Sequence, residues 1–168
     1  MTLAELNGLS PREAAAEFLK CCGARAWAEA MTTGRPFHSE GELFAKADLA
    51  CSSLTDDDWL EAFRAHPKIG EKKAAAGQSP QEQKWSAQEQ SGVAATSDDV
   101  TAQLAERNRE YEGKFGFIFI VCASGKSSVE MLAILNDRLK NDPQTELSIA
   151  AQEQQKITRL RLQKLLSQ

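Results

Sequence analysis

Residues 115–123, Phe-Gly-Phe-Ile-Phe-Ile-Val-Cys-Ala, form the one run of this chain with the β-branched and aromatic content of a buried strand. A strand needs a neighbour to take up its backbone N–H and C=O groups, and no second run of this kind occurs in the 168 residues. The run is therefore expected to lie extended or irregular among helices, its backbone groups satisfied by side chains or by a bound ligand. Without a sheet, the remaining sequence is read for helix starts and stops.

Ser10-Pro11-Arg12-Glu13 combines a capping serine, a proline at the first helical position and a glutamate three residues after the cap. A helix runs on through Ala14, Phe18 and Leu19, with Gly23 as its stop. Ala24 to Met31 makes a short helix around Trp27, ended by Thr33-Gly34-Arg35-Pro36. Ser39 to Ser52 places Leu43, Phe44, Ala47 and Ala50 at helical spacing. Thr55-Asp56-Asp57-Asp58 opens the next helix, with a capping threonine and three acids matched to the helix dipole; a solvated helix start is the simpler reading of those aspartates than a metal cluster. Glu71 to Lys84 is polar and small-residue-rich, and is expected to be a mobile loop with room for a helical turn. Ser86 with Glu89 matches a capping box, so a helix is expected to begin there and to offer free amides to an anion. Ser97 to Lys114 carries Val100, Leu104, Arg107 and Tyr111 along one stripe; Ser127 to Lys140 and Gln144 to Leu166 complete the set. The expected fold is all-α: a single-domain bundle of about eight helices over residues 1–168, with one extended apolar segment.

Composition narrows the function. A net charge of −4 provides no basic field for nucleic acid or an anionic membrane. No apolar run approaches the roughly 20 residues needed to span a bilayer, and the N-terminus lacks the basic-then-apolar layout of a secretory signal. The cysteines at 21, 22, 51 and 122 have neither zinc-ligand nor disulfide-framework spacing, and His38 and His66 are far apart in sequence. A cytoplasmic protein with reduced thiols and no metal site is expected.

Ala65-His66-Pro67-Lys68-Ile69-Gly70 sets a histidine before a proline at the end of an amphipathic segment. Proline disfavours the α region for the residue before it, so His66 is expected where a helix has stopped. Two readings stand: a positioned acid or base, suited to histidine's proton exchange near neutral pH, and a His-Pro turn without chemistry.

Taken in order, Ala65 to Gly70, Ser86-x-x-Glu89-Gln90 and Phe119-Ile120-Val121-Cys122-Ala123 resemble the 2-oxo-4-hydroxy-4-carboxy-5-ureidoimidazoline (OHCU) decarboxylase family of urate degradation. The resemblance runs from Ser10-Pro11 to Ile157-Thr158-Arg159-Leu160-Arg161-Leu162. It implies an all-α, cofactor-independent enzyme, commonly a homodimer, that converts OHCU to (S)-allantoin. It also implies His66 as the catalytic histidine, with Pro67 beside it as a substrate contact. The substrate-binding segments become Ser86, Ala87, Gln88, Glu89 and Gln90, and Phe119, Ile120, Val121, Cys122 and Ala123. A terminal-helix arginine belongs to the family's site, and the Leu-Arg-Leu match favours Arg161 over Arg159; two residues apart, they lie on different helix faces.

The implied chemistry suits these residue types. Loss of carbon dioxide leaves an electron pair that the substrate's own conjugated ring accepts. Backbone amides around Phe119 to Ala123 and at Gln90 are expected to bind the ring, Glu89 to accept from ureido N–H or hydroxyl groups, His66 to deliver the proton that fixes the S configuration, and Arg161 to neutralise an oxygen. Two other readings compete. One makes Cys122 a thiol nucleophile with His66 as base; the other makes the chain a helical interaction module.

Overall fold

The computed structural model describes residues 1–70, 75–93 and 97–167. Among them are nine helices and no strand: α1 (Leu3–Gly8), α2 (Pro11–Cys21), α3 (Arg25–Thr33), α4 (Glu40–Ser52), α5 (Asp56–Arg64), α6 (Pro80–Glu89), α7 (Asp98–Phe115), α8 (Ser128–Arg138) and α9 (Pro143–Leu166). They divide into two compact units. Unit 1 comprises residues 1–62 and the chain from Gln154 onward; unit 2 comprises residues 63–153.

Unit 1 is a set of helices whose starts are fixed locally. Reciprocal side-chain and backbone bonds pair Thr2 with Glu5, Ser10 with Glu13 and Thr55 with Asp58. The Thr2 box begins α1, a helix additional to the eight expected. Inside, Phe18 meets Trp27 and Phe37 edge-on, with ring centroids 6.0 and 6.3 Å apart. The Trp27 indole N–H donates to the Ala47 carbonyl at 3.2 Å. Arg35 donates to the carbonyls of Leu6 and Leu9, satisfying the otherwise open end of α1.

Unit 2 is organised on α7 and the apolar segment after it. Gly116, at φ 78°, ends α7 in the left-handed region that a glycine adopts without steric cost. Phe117 to Ala123 then runs without helix or strand, and Phe119 to Ala123 is buried. The rings of Phe115, Phe117 and Phe119 surround Tyr111, with centroids 4.7, 5.8 and 5.4 Å from its own. Met131 and Leu135 of α8 pack into the same core. On α7 Asn108 is buried with Leu104 and Tyr111; Arg107, expected on the apolar stripe, pairs instead with Glu110 at 2.5 Å.

One expected helix start is corrected. The helix begins at Pro80, six residues before Ser86, with Ser79 and Glu82 forming the capping box. Ser79-Pro80 adds a proline preset for the first helical position, an advantage Ser86 lacks. Ser86 and Glu89 therefore lie near the C-terminal end of α6, and both are buried. Of the expected loop from 71 to 84, residues 80–84 are helical, 75–79 form turns, and 71–74 lie outside the described residues.

Candidate active site

The chain leaves α5 at Arg64, and the His66 amide donates back to the Phe63 carbonyl at 3.1 Å, closing a turn that Pro67 cannot continue. Residues 65–70 are held by side chains from elsewhere in unit 2. The Gln78 amide donates to the Ala65 carbonyl at 3.0 Å, and the Asn108 amide to the Ile69 carbonyl at 2.9 Å. Gly70, at φ 82°, donates its N–H to the Gln90 side-chain oxygen at 3.0 Å. Lys68 pairs with Glu112 at 2.6 Å. His66, half-buried, thus sits in a loop pinned on both sides.

The same contacts bring the second motif to the first. Gln78 also donates to the Ser86 hydroxyl at 3.3 Å, and Gln90 caps α6 one residue after Glu89. Ser86 and Glu89, three apart, share the buried face of α6, whereas Ala87 and Gln88 are exposed. Where the chain leaves α6, a Cβ on Gly92 would fall 2.3 Å from the Lys126 carbonyl oxygen, so only glycine allows this approach to the loop after Ala123.

Phe119 to Ala123 is anchored by three charged side chains. Arg138 donates to the Ile120 carbonyl at 2.6 Å and stacks 4.8 Å from the Phe119 ring centroid. The Cys122 amide donates to the Glu153 carboxylate, and Lys126 to the Cys122 carbonyl, both at 2.8 Å. Arg138 is itself paired with the fully buried Glu146, which also accepts from Tyr111 and Asn141. Two amides expected to bind the ring are therefore already engaged: that of Cys122 with Glu153, and that of Gln90 with the Ser86 carbonyl. The reason is that a buried backbone donor without an acceptor is costly, and these acceptors lie within the fold.

Burial pushes the Cys122 thiol above its ordinary value; Lys126 and a bond from Ser124 oppose the rise, and the charges of Glu153 and Glu89 add to it. A thiol held protonated is a poor nucleophile, which weighs against the Cys122 reading.

In unit 1, Arg161 is buried and donates to the Lys20 carbonyl at 3.2 Å. Arg159 is exposed, lies 3.6 Å from the Asp48 carboxylate and stacks on Phe44 at 4.5 Å. The two have the different surroundings that their spacing requires. Beside Arg161, burial raises the Cys22 thiol to about 11. No cluster of three or more His, Cys, Asp or Glu suited to a metal occurs among the described residues.

The OHCU decarboxylase family matches residues 7–163. The chain belongs to the OHCU decarboxylase family. It is 42% identical, over 90% of its length, to the "Uric acid degradation bifunctional protein TTL" of Arabidopsis thaliana, and spans 47% of that protein. It is 31% identical to the 2-oxo-4-hydroxy-4-carboxy-5-ureidoimidazoline decarboxylase of Amia calva, over 83% of this chain and 79% of that one. The fold matches a crystal structure of OHCU decarboxylase in the presence of (S)-allantoin, with a TM-score of 0.76, 42% identity, and coverage of 90% of this chain and 98% of that one. The chain thus spans about half the length of the Arabidopsis relative.

Within this OHCU decarboxylase family member, sequence reading missed Gln78, Asn108, Arg138, Glu146 and Glu153. Arg138 looks like an ordinary last-turn cation and Glu146 like an ordinary first-turn acid. The available signal was the need itself: a buried non-helical segment requires partners, and polar residues on neighbouring helices are where they come from.

Proposed function

We propose that the chain decarboxylates OHCU to (S)-allantoin in urate degradation, without a cofactor and with His66 as acid/base. Family membership and the relatives' names support the reaction. Within the chain, the supporting observation is the pinned loop: residues 65–70, which carry His66, are tied to Ser86 through Gln78 at Ala65 and to Gln90 through the Gly70 N–H.

The step balances without an added oxidant or reductant. The bond from the ring to the carboxylate breaks, carbon dioxide leaves, and the electron pair enters the conjugated ring. One proton is then taken up at a ring carbon, and the face to which it is delivered sets the configuration. His66 delivers that proton and Glu89 accepts from substrate N–H or hydroxyl groups; the arginine that the family resemblance assigns to neutralise an oxygen is Arg161. Pro67 and the stretches 86–90 and 119–123 are the substrate-binding positions that the family resemblance assigns.

The test is circular dichroism of allantoin formed from urate by uricase and hydroxyisourate hydrolase, with and without this protein. A rapid S signal that depends on the protein is expected. His66→Asn lowers kcat by about 10² to 10⁴ while the helical spectrum survives. A racemic time course identical to spontaneous decay, from folded protein, overturns the reaction; near-normal turnover by folded His66→Asn overturns the role of His66.

We further infer a cytoplasmic homodimer. Four buried free cysteines support a reducing compartment, and no described helix is long and apolar enough to cross a membrane. Sedimentation equilibrium at the mass of one chain would remove the dimer.

A further inference from the structure

We propose that Gln78 and Asn108 are positioning residues for His66, holding its loop so that the proton reaches one face of the substrate. The proposal rests on the reading of His66 as proton donor. Gln78 takes the carbonyl one residue before His66, and Asn108 the carbonyl three residues after it. Both are amide N–H donors to main-chain oxygen, so they fix the backbone that carries the imidazole.

Neither side chain is loosely placed. The Gln78 side-chain oxygen accepts from the Ala75 amide at 3.1 Å, while its nitrogen reaches Ala65 and Ser86, so both ends of the amide are committed. The Gln78 carbonyl accepts from the Gln83 side chain at 3.0 Å, tying its turn to α6. Asn108 is 6% exposed, buried between Leu104 and Tyr111 on α7. Because Gln78 bonds Ser86 as well as Ala65, the histidine loop and the buried face of α6 are joined through one side chain.

The residue type carries part of the argument. A lysine or arginine could supply the same donors, but a fixed cation near the imidazole would disfavour its protonated form. A neutral amide supplies the donor without adding a further charge to a loop that already carries Lys68, paired with Glu112. Displacement of a reacting group by about 1 Å can cost on the order of 10²-fold in rate, so small slackening of the loop is enough to matter.

The experiment separates positioning from mere stability by reading the product's handedness. Gln78→Met, Gln78→Glu and Asn108→Asp are compared with the native protein. Enzyme concentration is raised until spontaneous decay of OHCU contributes nothing. Gln78→Glu keeps the oxygen that holds Ala75 and loses the N–H, as Asn108→Asp loses the N–H to Ile69. The expected result is kcat lower by about 10²-fold with little change in KM, and allantoin that is partly racemic even at saturating enzyme. A role in stability alone lowers the melting temperature and the active fraction but leaves the product fully S.

Folded variants that give fully S product overturn the proposal, whatever their melting temperature. If both Gln78 variants fail to fold, Asn108→Asp decides, and a fully S product from it also overturns the proposal. Failure of the underlying reading looks different. The native protein then makes no excess of S, or His66→Asn matches it.

Discussion

Arg138 takes a guanidinium into the interior of unit 2 at 6% exposure, against a Glu146 carboxylate that is wholly buried. Their mutual attraction offsets two desolvation penalties, so the pair adds little net stability, yet removing one member strands the other. Arg138→Met is expected to cost about 3–5 kcal/mol in urea unfolding, and Arg138→Met with Glu146→Leu to recover most of that. A loss below about 1 kcal/mol in the single variant would mean that Glu146 finds its neutralisation elsewhere. The Tyr111 hydroxyl in this network is pushed well above its ordinary value by burial, with Arg138 opposing and its bond to Glu146 adding, so it remains a donor throughout the working range. None of this was legible in the sequence. Arg138 meets Ile120 across 18 residues, Asn108 meets Ile69 across 39 and Cys122 meets Glu153 across 31, and such contacts leave no local pattern. His66 and Glu89 stood out because their motifs are short and contiguous; their supporting partners did not.

At the scale of the helix, cap chemistry is what the chain announces most clearly. The starts at Ser10, Thr55 and Ser127 were legible because a cap and its partner lie three residues apart, and the start at Ser39 followed from apolar spacing, with a Ser39 cap found in the structure. The Ser86 box misled because Ser79-Pro80 won the competition upstream, turning an expected helix start into a helix end. These caps also titrate. The Glu130 carboxyl is held below its ordinary 4.5 by the Ser127 amide and hydroxyl, and Asp58 and Asp142 below 3.8 by Thr55 and Thr145. A carboxyl depressed in the folded state stabilises above its unfolded pKa, and that contribution is lost as pH falls through the folded value. The urea midpoint is therefore expected to hold from pH 7 to about 5 and to fall steadily below that. Glu130→Gln should flatten part of the fall; a midpoint unchanged down to pH 3 would show that the caps do not contribute.

For the whole molecule, the division into two units makes a fluorescence prediction, since Trp27 and Trp59 belong to unit 1 and Trp85 to unit 2. Ending the chain after Glu153 removes Ile157, Leu162 and Leu165, all buried, together with the Arg161 bond to Lys20. Emission from Trp27 and Trp59, read in variants with the other tryptophans replaced by phenylalanine, is expected to shift to the red. Unshifted emission would show that residues 1–62 hold their core without the terminal stretch.

Unit 1 is assembled from two stretches separated by the whole of residues 63–153. On a ribosome adding about 5–20 residues per second, the first stretch waits roughly five to twenty seconds for the helical turns that complete its core. Through that interval the core of residues 1–62 lacks Leu162 and Leu165, both buried in the finished fold. A chain built this way has reason to stay in the company of chaperones until the turns that carry Leu162 and Leu165 emerge, and synonymous codons that slow residues 63–153 would lengthen the exposure.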